Sequence, residues 1–271
     1  LFDAHAHLQL VDDFPSAEDK DFCGRGDGPS AGIITCGTSP EDWDGVFEAA
    51  RRFSFVCPFY GVHPWFIDRL EEGWAGRLKT LLNSHERPGV GVGEIGLDKL
   101  KDGTRGRRGV AMDLQRKVFR MQLELAIEYG RPASIHCVHA WGPLFEDLEA
   151  VFSGHGGDVD GGSGRHRESA IMLHAFGGSY ESAMRVIDLG GYISFAPFNL
   201  GGPEGKTADV LRRLPADRIL LDSDFPLKAG QSITEYAGVL ADLSRRAAQI
   251  RGVSCERLIE MVSENGSVFA E

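Results

Sequence analysis

His5 and His7 stand two apart in the run DAHAHL (residues 3–8) of a 271-residue chain. Side chains alternate across a β-strand, so a strand here puts both imidazoles on one face, with Asp3 beside them. Two imidazoles make half a metal site. Four more residues of ligand type close other short apolar runs: Glu94 in GEIGLD, His136 in SIHC, His174 in MLHAF and Asp224 in LLDSDFP. Imidazole nitrogens and carboxylate oxygens, with no thiolate among them, suit Zn²⁺, Mn²⁺, Mg²⁺, Co²⁺ or Fe²⁺. A single His or Asp at a strand end is most often a satisfied core polar group. Six at the same end of five strands are not explained that way, because burying them without a cation leaves acceptors unpaired. No GxSxG, P-loop or Cys/His nucleophile pattern competes with this reading.

The elements that must position these residues recur regularly. Short β-branched or apolar runs occupy 1–8, 31–38, 55–64, 88–97, 132–137, 170–176, 190–198 and 218–226, about 34 residues per unit. Helix patterns separate most of them. Ser39 is placed to cap a helix with Pro40 at its first position and Trp43, Val46, Phe47 and Ala50 along it. Asp113 is placed to cap another, with Leu114, Val118, Met121 and Leu125 as its stripe and Gly130 as its stop. Ser232 and Glu235 have capping-box spacing ahead of a helix to Gln249. Alternating strands and helices imply parallel strands joined by right-handed crossovers. Eight units predict one α/β domain over residues 1–271, a closed (β/α)₈ TIM barrel, with a doubly wound open sheet as the alternative. Every ligand candidate then falls at the C-terminal end of its strand, the face where such barrels place their chemistry. Residues 99–111 and 154–169 read as surface loops.

Composition narrows the classes. Hydrophobic residues make up 42% and charged residues 25%, which excludes a disordered chain. No apolar run reaches the roughly 20 residues of a membrane span, and Asp3, Asp12 and Asp13 sit where a signal peptide needs basic and apolar segments. The five cysteines are dispersed and form no CxxC, as expected of reduced thiols in a cytoplasmic protein. The formal charge of −11 confines any nucleic-acid contact to a local site. No obligate protein partner is indicated.

The motifs DAHAHL (3–8), GVHP (61–64), GEIGLD (93–98), QRKVFRMQLELA (115–126), PASIHC (132–137), HAFGG (174–178), LLDSDFP (220–226) and ENGSVF (264–269) run from end to end of the chain. Together they resemble the TatD-type metal-dependent deoxyribonucleases of the amidohydrolase superfamily. The resemblance implies a (β/α)₈ barrel with two divalent ions, Mg²⁺, Mn²⁺ or Zn²⁺. It assigns His5, His7 and Asp224 to one ion, His136 and His174 to the other, and Glu94 to both. His63 would lie near the substrate phosphate. The implied reaction is phosphodiester hydrolysis of DNA at single-stranded or frayed ends. A metal-activated water attacks, Asp224 accepts its proton, and Asp3 holds a ligand histidine in its tautomer. Two divalent cations outweigh two carboxylates, so the pocket is net positive within an acidic chain. Departures from the family pattern are Gln9 in place of an acid, Asp222–Ser223–Asp224 in place of Glu-Thr-Asp, and Val138 in place of a phosphate-binding Arg. Val138 keeps open the alternative of an amide, lactone or other ester hydrolase acting on a small molecule. The run from Lys99 to Lys117 carries seven cations against two acids directly after Glu94. Its Arg105, Arg107 and Arg108 are candidates to replace the missing phosphate grip. Arg165 and Arg167, which precede the sixth strand, are expected at the opposite face.

Overall fold

A computed structural model describes residues 1–13, 32–84, 89–103, 109–155 and 170–271. Eight strands form one sheet in sequence order: β1 (Phe2–Ala6), β2 (Gly32–Cys36), β3 (Val56–Tyr60), β4 (Gly91–Asp98), β5 (Ala133–Val138), β6 (Ile171–Leu173), β7 (Tyr192–Phe195) and β8 (Ile219–Leu221). Each neighbouring pair from β1–β2 to β7–β8 is parallel. Two main-chain hydrogen bonds cross the closing seam, from His7 N to Phe225 O (2.7 Å) and from Asp224 N to His5 O (3.0 Å). The result is the predicted (β/α)₈ barrel, and the open sheet is excluded. Each of the eight expected runs coincides with a strand, although β4 and β5 extend one residue past theirs, to Asp98 and Val138. The first, sixth and eighth runs overreach because they include the loops after the strands, where His7, His174 and Asp224 lie.

The helices are α1 (Trp43–Arg52), α2 (Trp74–Ser84), α3 (Met112–Glu128), α4 (Trp141–His155), α5 (Tyr180–Asp188), α6 (Lys206–Arg213), α7 (Tyr236–Arg251) and α8 (Cys255–Ala270). The cap expected at Ser39 is not there. The carboxylate of Asp42 instead accepts from Thr38 N, Thr38 Oγ1 and Ser39 N, which makes residues 38–42 a turn and delays α1 to Trp43. Asp113 lies inside the first turn of α3 rather than at its cap. The buried stripe of α3 also differs, since Leu114 is exposed while Gln115 and Gln122 are fully buried. Those glutamines bond main chain, Gln122 at Val62 and Gln115 at Asp98 and Val110, so polar side chains occupy core positions without loss. Gly130 ends α3 at φ 60° as expected. The capping box of Ser232 and Glu235 also forms, over a 3₁₀ turn that leads into α7.

The main core lies between the sheet and its surrounding helices, with Phe119, Leu123, Ile135, Leu144 and Leu173 fully or almost fully buried. A second cluster joins Phe2, Ile34, Phe59, Met172, Tyr192 and Leu220 of the strands to Phe269 at the end of α8. Phe2 N donates to Ser263 Oγ of α8. The last helix therefore packs against the barrel where the strands begin, leaving the ends of the strands for chemistry. Among the described residues, the three non-glycine residues with positive φ, His139, Ala175 and Asp224, all follow strands on that chemical face.

Candidate metal centre

Two strands lose their regular register where they carry ligands. The β1–β2 pairing slips between Asp3 and Ala6, and the β4–β5 pairing slips between Val92 and Ile95. Such irregularities re-aim a side chain without ending the strand. In β1 the slip separates Asp3 from the histidines. Asp3 turns toward α7, where Tyr236 Oη (2.7 Å), Ser223 Oγ (2.6 Å) and Ser223 N (2.8 Å) donate to its carboxylate. The expected bond from Asp3 to a histidine ring does not form, and Asp3 instead fixes the loop after β8. Burial pushes its carboxyl up to about 7 against those hydrogen bonds. In β4 the slip aims Glu94 inward from the middle of the strand rather than from its end, which corrects the expectation for that residue. Gly61 must be bare for this to happen, because a Cβ there would stand 2.7 Å from the Gly93 carbonyl carbon.

Glu94 is the hub. Its Oε1 lies 2.9 Å from His174 Nε2, 3.0 Å from His136 Nδ1 and 3.3 Å from His63 Nε2. Its Oε2 lies 3.3 Å from His7 Nε2 and 3.6 Å from His5 Nε2. Asp224 Oδ1 faces the same two rings, at 3.5 Å and 3.9 Å. One carboxylate thus divides five imidazoles between its two oxygens. His5 and His7 bring their Nε2 atoms within 3.2 Å of each other. The His5 and His174 rings stack at 3.9 Å. Three overlapping groups have ligand atoms within 4.8 Å of one another: His5–His7–Glu94, His5–His174–Asp224 and His63–Glu94–His136.

The outer nitrogens decide what the inner ones offer. His7 Nδ1 donates to Cys36 O at 2.7 Å, so a neutral ring turns a lone pair inward at Nε2. His5 Nδ1 is bonded to Ser134 Oγ at 2.8 Å. His63 is the reverse case. Its Nδ1 accepts from Trp65 N at 3.1 Å, so a neutral ring carries its proton on Nε2, facing the cavity. His136 Nε2 and His174 Nδ1 are buried and find no hydrogen-bond partner among the described residues.

Charge follows from burial and proximity. Burial alone would raise Glu94, but the surrounding imidazoles hold it well below the usual carboxylate range. Asp224 is likewise lowered, because His7 and His174 outweigh its burial. Burial lowers His63. It also takes His5 down to about 3. Burial works against protonated His136 too, but the carboxylates of Asp98 and Glu94 carry it up to about 9. Buried lone pairs converging on ionised carboxylates, with buried ring nitrogens left unpaired, are a donor set suited to a divalent cation.

These residues border a cavity of about 590 Å³. No Lys or Arg lines it among the described residues, and its rim is apolar, formed by exposed Leu10, Trp65, Phe198 and Leu227. Lys101 stands near the rim, with Nζ 4.7 Å from the Trp65 ring centre. Val138 borders the cavity where the phosphate-binding Arg was expected from the resemblance. Arg105, Arg107, Arg108, Arg165 and Arg167 lie outside the described residues. The seven site residues expected from sequence, His5, His7, His63, Glu94, His136, His174 and Asp224, do meet. Sequence reasoning missed the groups around them: Ser134 and the Cys36 carbonyl, which bond the outer nitrogens of His5 and His7, and the buried carboxylates of Asp98 and Asp222. Only Asp98 and Asp222 carried a signal, as members of the GEIGLD and LLDSDFP motifs. Asp222 accepts from Ser194 Oγ and Ala175 N beside His174, and burial pushes its carboxyl up to about 6.

A parallel barrel that gathers such donors at the ends of its strands has the architecture of a metal-dependent hydrolase. The sequence profile of the TatD related DNase family matches residues 2–269, and the chain belongs to that family. It is 27% identical to an uncharacterized metal-dependent hydrolase, YabD, of Bacillus subtilis, over 98% of this chain and 96% of that protein. It is 24% identical to the deoxyribonuclease TATDN3 of Homo sapiens, over 98% and 92%. The crystal structure of the TatD homologue YjjV from Escherichia coli superposes with a TM-score of 0.71 at 22% identity, covering 88% of this chain and 86% of that one, which bears on the fold. The protein is a metal-dependent hydrolase of this family. Among the described residues, no helix is long and apolar enough to cross a membrane.

Proposed function

We propose that this chain hydrolyses phosphodiester bonds of DNA, at single-stranded or frayed ends, with two divalent ions of Mg²⁺, Mn²⁺ or Zn²⁺. His5, His7 and Asp224 would hold one ion, His136 and His174 the other, and Glu94 both. The observation that carries this reading is the division of the imidazoles between the two oxygens of Glu94. The deoxyribonuclease named among the relatives supports DNA as substrate. When bound, the ions supply Lewis acidity and a lowered pKa for water.

The chain's own residues do the rest. Asp224, held ionised at the cavity edge, accepts the proton of the attacking water. The water oxygen bonds to phosphorus, the P–O bond to the leaving oxygen breaks, and the proton on Asp224 passes to that oxygen. His63, neutral with Nε2–H facing inward, hydrogen-bonds a phosphate or leaving-group oxygen. Arg105, Arg107 and Arg108 grip flanking phosphates. Neutralising these three together raises KM for DNA and flattens its salt dependence, whereas neutralising Arg165 and Arg167 does neither.

The decisive experiment is degradation of end-labelled single- and double-stranded DNA by metal-stripped protein, with Mg²⁺, Mn²⁺ or Zn²⁺ restored in turn. Metal-dependent shortening of the single strand is expected. A second reading, an ester or amide hydrolase acting on a small molecule, is favoured by the apolar rim and by the lack of Lys or Arg lining the cavity among the described residues. Turnover of small esters or amides by protein inactive on DNA would select it.

A further inference from the structure

His136 is the odd ring of the centre. His5, His7, His63 and His174 all turn Nε2 toward Glu94, whereas His136 alone turns Nδ1. Its Nε2 then points away from the hub, buried and without a hydrogen-bond partner among the described residues. The acidic oxygen facing that atom is Asp98 Oδ2, 3.7 Å away.

Strand pairing accounts for the encounter. Gly96 pairs with His136 and Asp98 pairs with Val138, so Asp98 lies two residues along β4 from the position opposite the histidine, on the same face. Gly96, at φ 144°, has no Cβ, and one placed there would meet His136 O at 2.0 Å. Asp98 itself is firmly held. Gln115 clamps its main chain on both sides, with Oε1 accepting from Asp98 N (2.8 Å) and Nε2 donating to Asp98 O (3.1 Å). Leu100 N donates to Oδ1 (2.8 Å), and the Trp65 indole donates to Oδ2 (2.6 Å). Asp98 is only 2% exposed.

We propose that Asp98 is a positioning residue that takes the Nε2–H of His136, fixing this ring to present Nδ1 to the second metal position, while the same carboxylate pins Trp65 at the cavity mouth. A carboxylate behind a ligand imidazole fixes its tautomer and raises its basicity. The inference rests on the reading of His136 as a metal ligand.

Titration of metal-stripped protein with Zn²⁺ tests it. Asp98→Asn weakens one of the two binding events about 10- to 100-fold, the usual cost of losing such a partner, and leaves the other unchanged. Trp65→Phe, which frees the same carboxylate from its indole, does not reproduce that loss. Equal weakening by both variants makes Asp98 a mere support of the loop after β4, and unchanged binding in a folded Asp98→Asn protein removes it altogether. If His136→Ala binds both ions normally, the ligand reading fails first and the inference with it. If Asp98→Asn does not fold, ring ¹⁵N spectra of zinc-loaded wild-type protein decide: a proton on His136 Nε2 is expected, and a bare Nε2 overturns the proposal.

Discussion

The two halves of the proposed metal centre are built differently. On the side where β8 meets β1, His5, His7 and Asp224 are tied by main chain, since His7 N and Asp224 N both donate across the seam that closes the barrel. Their outer ring nitrogens are bonded to Ser134 and Cys36, and Asp3 anchors Ser223 beside Asp224. On the side formed by β4, β5 and β6, His136 and His174 keep buried outer nitrogens without hydrogen bonds among the described residues. The seam half is organised before any ion arrives. The other half depends on one carboxylate at 3.7 Å from His136 and on Glu94. Preorganisation lowers the cost of binding, so the two-ion proposal predicts that the seam half is the tighter of two unequal positions.

The most severe test of that contrast is Glu94→Ala, which removes what both halves share. Both ions are lost, turnover falls to background, and the melting temperature stops responding to added metal. Retention of one ion by metal analysis shows that Glu94 belongs to a single half.

Asp224→Asn strikes the seam half alone. It keeps the shape but loses the base, and kcat drops at least about 10²-fold with the circular dichroism spectrum unchanged. Near-normal kcat removes Asp224 from proton transfer.

Ser134→Ala removes the hydroxyl partner of His5 Nδ1 and leaves it the Cys36 thiol at 3.4 Å, which brings the seam half closer to the state of the other half. Metal affinity at the tighter position falls about 10- to 100-fold, and the two positions become alike in titration. If the weaker position responds instead, the assignment of the halves is reversed.

The smallest effect is on pH dependence. In metal-free protein His136 is raised to about 9 and His174 above its ordinary 6.5, whereas in the seam half His7 is raised and His5 falls to about 3. Protons thus stand in for cations, and binding an ion expels them. With His136 raised to about 9, affinity at the weaker position is expected to keep climbing with pH toward that value. The same shift fixes a sign for stability. The contribution of His136 to the metal-free fold is fully present below pH 6.5 and is lost as pH rises through about 9. Calorimetry in buffers of different ionisation enthalpy measures the released protons, and equal slopes at both positions break the contrast.

Much of this was legible in the residues themselves. The eight apolar runs announced the barrel, and the ligand types at their ends announced the centre, because period-two burial and metal chemistry both restrict local residue choice. Gly130 and the Ser232–Glu235 box were readable for the same reason. The face of α3 was not, since Gln115 and Gln122 are core residues only because main-chain groups of distant loops meet them. Asp3 was misread because alternation assumes an unbroken strand, and the slip between Asp3 and Ala6 turns it to the helix side. By itself, then, the sequence determined the fold class, the donor set and the family. Only the tertiary structure decided which oxygen of Glu94 faces which rings, which nitrogen each ring presents and which half is held by the seam. Those choices depend on register slips and on partners from other strands, and a linear pattern carries neither.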